Sequence, residues 1–317
     1  MPIGKKGNKS MSKKMDLAVR RKRGKYDWQF WAIIAVPVIY AFIFAYIPMG
    51  GIVLAFKNYS IRKGIFGSPW VGLKYFRQFL TSTSSVTVIT NTFILGIYSL
   101  IVNFPIPIVF AVLMNELRHE KFKKTVQFVS YAPYFISTVV LVGMMMQMMD
   151  LRTGIFNRIL TAMGLQAVNF FGDPKLFRSL YVWSGLWQTM GYNSIIYIAA
   201  LAGVSPELKE AAVVDGASRL QRIIHVDLPS IMPTIIIMLI FACGSVVSIG
   251  FDKVYLMQNS MNAGVSEVIS TYVYKVGLVN SDFGFSTAAG LFQSLVSFAM
   301  LVLVNQLAKR FTETSLW

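Results

Sequence analysis

Long apolar stretches that contain no charged side chain alternate along the sequence with shorter polar segments. Six such stretches cover residues 28–56, 78–115, 125–149, 179–206, 228–251 and 283–308. Each exceeds the roughly 20 residues that a helix needs to cross the hydrocarbon core of a bilayer. Because ionised groups are costly in that core, the pattern predicts an all-α integral membrane protein with six transmembrane helices. The predicted spans cover about residues 30–56, 87–114, 126–149, 179–203, 229–250 and 284–308.

Two alternatives fit the six stretches less well. The core helices of a soluble protein are usually apolar over only about 10–14 residues. A signal peptide would explain the first stretch, but its apolar part is too long and no clean cleavage site follows it. An uncleaved first span in a six-span protein is therefore the better interpretation.

Composition and charge agree with a membrane protein. Of 317 residues, 55% are apolar and 14% are charged, with 30 basic against 14 acidic side chains. A soluble domain usually has about 25% charged residues. The single cysteine, Cys243, excludes an intrachain disulfide framework and a cysteine-based metal site. The net charge of +16 comes mostly from the tail and loops, which have no nucleic-acid-binding motif, so no nucleic-acid partner is expected.

The basic residues also predict the orientation. The tail before the first span has ten Lys and Arg residues. Together with the two loops and the C-terminus on the same side of the membrane, it has 19 basic residues, against 11 on the opposite side. Loops rich in basic residues stay in the cytoplasm. We therefore expect a basic cytoplasmic tail over residues 1–28, a membrane domain over 29–308, and a cytoplasmic C-terminal tail over 309–317.

One outer loop departs from this charge pattern. Its basic residues have no acidic neighbour in sequence, and they are Lys57, Arg62, Lys63, Lys74 and Arg77. Leu73, Phe76 and Leu80 are spaced as on one face of a helix, which predicts a short helix on the outer surface. Two hypotheses for the charges stay open, an acidic ligand or an acidic face on a partner.

Polar and aromatic side chains at membrane depth are candidates for a solute path. They are Gln147, Trp187, Gln188, Tyr192, Asn193 and Tyr197, and Asn103 and Gln293 are further polar residues at that depth. Rings that pack against C–H faces and amides that bind hydroxyls suit a sugar. Two alternatives stay open, which are hydrogen bonds between helices and an interfacial aromatic belt. The six stretches contain no Asp, Glu, Lys, Arg or His, which argues against a proton-coupled carrier and a charged-ring channel.

No catalytic site is predicted. His119 and His225 lie in cytoplasmic loops without a partner for nucleophilic chemistry. The sequence also has no glycine-rich loop ending in Gly-Lys-Ser/Thr, so ATP would have to bind to another chain. We expect no cofactor and no metal in this chain.

The loop over residues 205–229 has the strongest signal. Ser205 and Pro206 can begin a helix, and Gly216 can end it. An amphipathic helix of this kind suits a groove on a partner, although packing against its own bundle is equally possible. Glu210, Ala211, Ala212 and Gly216, followed after nine residues by Val226, Asp227, Leu228 and Pro229, resemble the EAA loop of ABC importer permeases. The family pattern is E-A-A-x3-G-x9-I-x-L-P, and Val226 is the one departure.

The resemblance covers nearly the whole chain and points to the maltose-type sugar permeases, among them those for complex polysaccharide fragments. Residues 46–50, 55–57, 68–72, 272–278 and 313–317 carry this finer match. It implies the type I ABC importer permease fold in the cell membrane. It also implies a second permease subunit, two cytoplasmic ATPases that hold ATP and magnesium, an external solute-binding protein and a saccharide substrate.

In that family the EAA helix docks into a cleft of the ATPase. The resemblance therefore implies that coupling residues occupy the loop and its exit, and they are Glu210, Ala211, Ala212, Asp215, Gly216, Ala217, Leu228 and Pro229. ATP hydrolysis would move this helix and tilt the fifth span. Two other functions stay open, a permease for another solute such as an amino acid or polyamine, and a membrane sensor or scaffold without transport.

Overall fold

The computed structural model describes residues 28–312, 315 and 316. The expected basic tail, apart from Trp28, lies outside the described residues, as do Glu313, Thr314 and Trp317 of the expected C-terminal tail. The chain divides into two compact units between Leu54 and Ala55. Over the described residues the secondary structure is helical, and no strand forms apart from an isolated antiparallel bridge between Lys57 and Trp70.

One long helix forms the described part of the first unit, and the second unit is a helical bundle. The principal helices are α1 (Trp28–Phe56), α2 (Lys74–Thr81), α3 (Thr83–Asn103), α4 (Pro105–Asn115), α5 (Glu120–Tyr131), α6 (Thr138–Met148), α7 (Ile155–Ala162), α8 (Pro174–Ala202), α9 (Pro206–Val214), α10 (Arg219–Gly244), α11 (Phe251–Met257), α12 (Ile269–Tyr274) and α13 (Phe283–Thr312). Shorter segments connect them, and four of these include a helical turn of their own, at Gly64–Gly67, Ala132–Phe135, Ala263–Ser266 and Lys275–Val279.

Four helical segments among the described residues are long and apolar enough to cross a membrane. They are α1, α3 continued by α4, α10, and α13. A bent pair, Glu120–Phe135 with Thr138–Met148, adds a fifth if its two parts form one span. Helix α8 is 29 residues long, but its amides, serines and aromatic residues make it less apolar than the four. The six-span count and the cytoplasmic termini stay predictions.

The third predicted span, residues 126–149, is not one straight helix. Its two parts meet at an angle of 98°. Pro133 lies in a 3-10 turn at Ala132–Phe135, and Ile136 and Ser137 are extended. The Ser137 hydroxyl then accepts a hydrogen bond from the Val140 backbone N–H, at 3.3 Å, and begins α6. A proline without a backbone N–H, followed by a serine N-cap, ends one helix and starts the next.

The fifth span begins ten residues earlier than the predicted start at Pro229. Helix α10 starts at Arg219, where Ser218 and Gln221 form a capping box, and a π-helical turn at Ile223–Asp227 precedes Leu228 and Pro229. The Leu228 N–H bonds to the Ile223 carbonyl, five residues back. A wider turn accommodates a proline ring that would otherwise clash with the carbonyl four residues earlier. Helix α1 repeats the arrangement at Phe42–Tyr46, directly before Ile47 and Pro48.

Three buried clusters hold the second unit together. Leu95, Val142, Phe177 and Met257 belong to the first, which joins α3, α6, α8 and α11. The second packs α2 and α3 against α12 and α13, and the third packs α4 and α8 against α10. Helix α8 is common to the first and third clusters, and it packs directly on α3, α4 and α10. The bundle is therefore organised around α8, which contains most of the predicted path residues.

Candidate functional site

A cavity of about 500 Å³ lies between α3, α4, α8 and α10, beside the turn that follows α10. Small, aromatic and amide side chains line it together. They are Gly96, Ser99, Leu100, Asn103, Phe104, Pro107, Tyr181, Gly185, Gln188, Thr189, Asn193, Tyr197, Met238, Phe241, Ala242, Ser245, Val246, Ser248, Ile249, Gly250 and Lys253. Its volume is in the range of small-molecule sites.

The cavity includes half of the predicted path residues. Gln188, Asn193 and Tyr197 line it at successive turns of α8. The other three predicted residues do not line it: Gln147 is exposed on α6, Trp187 is half exposed on α8, and the Tyr192 ring stacks on Tyr134. The lining residues of α8 recur every four positions along one side of the helix, at Tyr181, Gly185, Thr189, Asn193 and Tyr197.

Some polar groups at membrane depth hold elements together. Gln188 donates a hydrogen bond from its Nε2 to the Ile136 carbonyl at the bend between α5 and α6, at 2.8 Å. Gln293 donates one from its Nε2 to the Val247 carbonyl in the turn after α10, at 2.9 Å. In the cavity lining, by contrast, Ser99 Oγ and Asn103 Oδ1 are buried and have no hydrogen-bond partner within the described residues. Unpartnered buried polar atoms are available to a ligand.

The sequence predicts a path without charged side chains, and the cavity lining includes Lys253. Helix α10 ends at Gly244, the chain turns at Ser245, and α11 begins after Gly250, so Lys253 folds back against α8. Because Lys253 follows the fifth charge-free stretch by two residues, its position in the sequence predicts a place in an outer loop. The Gly250 N-cap of the next helix is the one signal that could have indicated the reversal.

In the loop after α8, helix α9 ends as the sequence predicts. Gly216 has φ +76°, the left-handed region that glycine adopts without a steric penalty. The Gly216 N–H bonds to the Val213 carbonyl at 3.0 Å, and the Ala217 N–H bonds to the Ala212 carbonyl at 2.9 Å. These two bonds form a Schellman motif, which satisfies carbonyls at the helix end. Ser205 occupies the N-cap position of α9, but its side chain makes no capping hydrogen bond.

The α9 helix has no buried residue. Leu208, Val213 and Val214 are exposed, with Val214 at 86%, and Leu220 beyond the turn is exposed as well. Glu210 and Ala211 are also exposed, so the predicted coupling residues of α9 are accessible. A recess of about 280 Å³ follows the helix end, and Ala212, Asp215, Gly216, Ala217, Gln221, Arg222, His225 and Val226 line it.

Two ion pairs fix this loop to the membrane helices. Lys209 on α9 contacts Asp227, with 3.2 Å between Nζ and Oδ1, and the Asp227 side chain is buried in the π-helical turn of α10. Arg222 contacts Glu116 after α4, with 3.8 Å between Nη2 and Oε2. Leu228, another predicted coupling residue, packs on the third buried cluster, while Pro229 is exposed. Neither ion pair has a signal in the sequence, because the partners are far apart in sequence or on separate helices.

The predicted outer helix forms as α2, and one residue of its predicted apolar face packs on the bundle. Tyr75 and Phe79 are buried in the second cluster and Phe76 packs against it, whereas Leu73 and Leu80 are exposed. Burial raises the pKa of the Tyr75 hydroxyl, and the negative charge of Asp282 raises it further, so an acidic residue lies near this segment.

The basic side chains of this segment lie mostly at the surface. Lys57 donates hydrogen bonds to carbonyls of the same segment, at 2.8 Å to Ile65. The other four, Arg62, Lys63, Lys74 and Arg77, are exposed. Their charges are therefore accessible to a partner.

Comparison with known proteins places these features in a family. The family described as "Binding-protein-dependent transport system inner membrane component" matches residues 107–313. The chain is 38% identical over 305 residues to the polygalacturonan/rhamnogalacturonan transport system permease protein YteP of Bacillus subtilis, covering 96% of this chain and 94% of that protein. It is 36% identical over 293 residues to the protein LplB of Bacillus subtilis, covering 92% of each.

The structure is also similar to solved structures. One is a bacterial alginate ABC transporter in complex with an alginate pentasaccharide-bound periplasmic protein, with a TM-score of 0.85 and 34% identity, covering 93% of this chain and 99% of that chain. Another is a bacterial ABC transporter involved in the import of the acidic polysaccharide alginate, with a TM-score of 0.84 and 35% identity, covering 92% and 98%. These matches confirm the expected ABC importer permease fold.

Proposed function

Because the chain belongs to the family of binding-protein-dependent transport system inner membrane components, we propose that it carries an oligosaccharide across the membrane through the cavity beside α8. Membership makes the chain a multi-pass membrane protein and a permease subunit of a binding-protein-dependent ABC transporter, and not an enzyme.

The chemistry of the cavity lining carries the proposal. Tyr181, Tyr197 and Phe241 provide aromatic surface, and Asn103 and Asn193 provide amides. The C–H faces of a sugar pack on rings while its hydroxyls need both donors and acceptors, and an amide provides one of each. Two lining atoms, Ser99 Oγ and Asn103 Oδ1, have no partner among the described residues and would gain one from a sugar hydroxyl.

The relatives favour a saccharide over the two other solutes that the sequence left open. The names of similar proteins specify polygalacturonan, rhamnogalacturonan and alginate. A polyamine is cationic, and the ammonium group of Lys253 in the lining would repel it. We therefore propose a saccharide and treat an amino acid as the competing outcome of the test.

The exposed loop supports a partner that hydrolyses ATP. Helix α9 exposes Leu208, Val213 and Val214 to solvent and does not bury them against its own bundle. An exposed apolar helix face suits a groove on another protein. In the proposed assembly, two ATPase subunits hold ATP and magnesium, one of them receives α9, a second permease completes the membrane part, and an external binding protein delivers the saccharide.

The proposal is tested by uptake into proteoliposomes that contain the complete transporter and its cognate binding protein. We expect ATP-dependent accumulation of a labelled oligosaccharide from a panel of plant and algal polysaccharide fragments. The Asn193→Leu variant of this permease removes one amide from the lining, and its uptake should be lower than that of the wild type. Accumulation of a labelled amino acid without any saccharide would overturn the proposal, and so would a complete assembly that moves no solute.

A further inference from the structure

A single ammonium group lies in the cavity lining. Lys253 on α11 is 9% exposed, and its Nζ donates a hydrogen bond to the Tyr181 carbonyl of α8 at 2.9 Å. The same Nζ lies 4.9 Å from the centroid of the Tyr181 ring. Gly185 leaves room for the lysine, because a Cβ at that position would lie 3.2 Å from Nζ. The ammonium is therefore held at a defined place on α8.

This cation has no counter-ion in the part of the chain that the structure describes. Three ion pairs form among the residues that the structure describes, and Lys253 takes part in none of them. Asp252, the adjacent residue, is exposed. Burying a charge without a partner of opposite sign is costly, and a carbonyl and a ring offset only part of that cost. Charged residues among membrane helices are rare and commonly face a pathway.

The ammonium also has unused hydrogen-bond donors. A lysine has three N–H donors, and Lys253 uses one of them on the Tyr181 carbonyl. The remaining two can serve an anion in the cavity. The neutral amides and rings that line the cavity supply no negative charge, so an anionic ligand would complete its charge balance.

We propose that Lys253 is the specificity residue that pairs with a carboxylate of the saccharide in the cavity, so that the solute is an acidic oligosaccharide such as one built from uronic acids. The inference rests on the proposed function and adds the charge of the solute. A neutral saccharide would leave the ammonium unpaired, while an acidic one gains a charge-assisted hydrogen bond. The lysine thus favours acidic chains over neutral chains of equal length.

The test measures uptake of one oligosaccharide in two forms, the free acid and its methyl ester, by the reconstituted transporter. For each form, the rate of a variant is divided by the rate of the wild type. Because both permeases receive the solute from the same binding protein, the quotient cancels the preference of that protein. We expect Lys253→Gln to lower the quotient for the acid at least about 10-fold relative to the quotient for the ester.

Three variants complete the design. Lys253→Arg keeps a cation, so its quotient for the acid should stay within about threefold of its quotient for the ester. Lys175→Gln makes the same charge change at an exposed lysine of α8 outside the lining and should leave both quotients equal. If Lys253→Gln does not assemble, Gly185→Ala displaces the ammonium while keeping its charge, and should again lower the acid quotient more than the ester quotient.

Each outcome decides between roles for Lys253. Equal losses for acid and ester would assign Lys253 to holding α11 on α8 and overturn the inference, as would no loss for either. Uptake of a sulfated oligosaccharide without uptake of the carboxylated one would also overturn the carboxylate assignment. Failure of the wild type to move any saccharide would instead contradict the proposed function itself.

Discussion

Lys209 and Asp227 link the exposed helix α9 to the π-helical turn within α10. The distance between Lys209 Nζ and Asp227 Oδ1 is 3.2 Å, and the side chains are 30% and 3% exposed, respectively. Asp227 ends the π-helical turn within α10, directly before Leu228 and Pro229. Movement of α9 would therefore be transmitted to α10 through a charged contact as well as through the connecting chain.

The unequal burial of the two partners predicts unequal effects of their removal. Lys209→Met leaves the buried Asp227 carboxylate without its cation, and should destabilise the protein by about 2 kcal/mol or more. Asp227→Asn leaves Lys209 free to turn towards water, and should cost less than about 1 kcal/mol. Thermal unfolding of the purified permease complex measures both. Equal losses of stability would contradict the ion-pair account.

Gly216 ends α9 in a conformation that other residues adopt at a cost. Gly216→Ala should destabilise the loop by about 1–2 kcal/mol, because a Cβ is strained at φ +76° even though no other atom lies within 4 Å. We expect weaker ATPase association and lower uptake. Gly216→Asn should be milder, since asparagine tolerates this region. Gly203→Ala, at a glycine with φ −84°, is the control, and an equal loss there would contradict the role of the left-handed turn.

Val214 tests whether the exposed face of α9 contacts the ATPase. Its side chain is 86% exposed, so Val214→Asp should leave the thermal stability of the isolated permease unchanged. In the proposed complex the same carboxylate would be buried against an apolar groove, and ATPase co-purification should fall at least about 10-fold. Val214→Thr, which keeps the shape, should retain most of the association. Unchanged co-purification with the aspartate variant would place the ATPase contact elsewhere.

The exposed basic residues of the outer segment provide a separate prediction about the binding protein. Replacement of Arg62, Lys63, Lys74 and Arg77 by glutamine should weaken docking of the loaded binding protein, with the greatest effect at low salt. Association rates measured at several salt concentrations test this, and the wild type should lose affinity as salt rises. If the wild type and the glutamine variant bind the loaded binding protein equally fast at low salt, these basic residues have no role in docking.

Local patterns predict much of the coupling loop. Ser205 and Pro206 mark the start of α9, and Gly216 marks its end, because these residues act on the nearest turn of backbone. The helical character of the chain follows equally from its charge-free stretches. The EAA resemblance and its polysaccharide subgroup agree with the relatives at 38% and 36% identity. The roles of the individual coupling residues stay predictions.

The features that sequence reasoning missed depend on tertiary packing. The 98° bend at Ile136 and Ser137 has, by contrast, a local signal in Pro133 and the Ser137 cap, although the charge-free stretch runs on without interruption. Lys253 lies in the cavity because the chain reverses after Gly244, and a count of charges along the sequence places it in a loop. Buried groups such as Asp227 likewise find partners that linear spacing does not indicate.

The central claim is that the saccharide passes through the cavity beside α8, and protection of an engineered thiol tests it most directly. The chain has one cysteine, so Cys243→Ser provides a background in which Asn193→Cys or Trp187→Cys is the single reactive site. The account predicts that saccharide delivered by the binding protein slows thiol labelling at position 193 at least about 10-fold and leaves position 187, which lies outside the lining, unchanged. Equal labelling at position 193 with and without saccharide, in a transporter that takes the saccharide up, would contradict it.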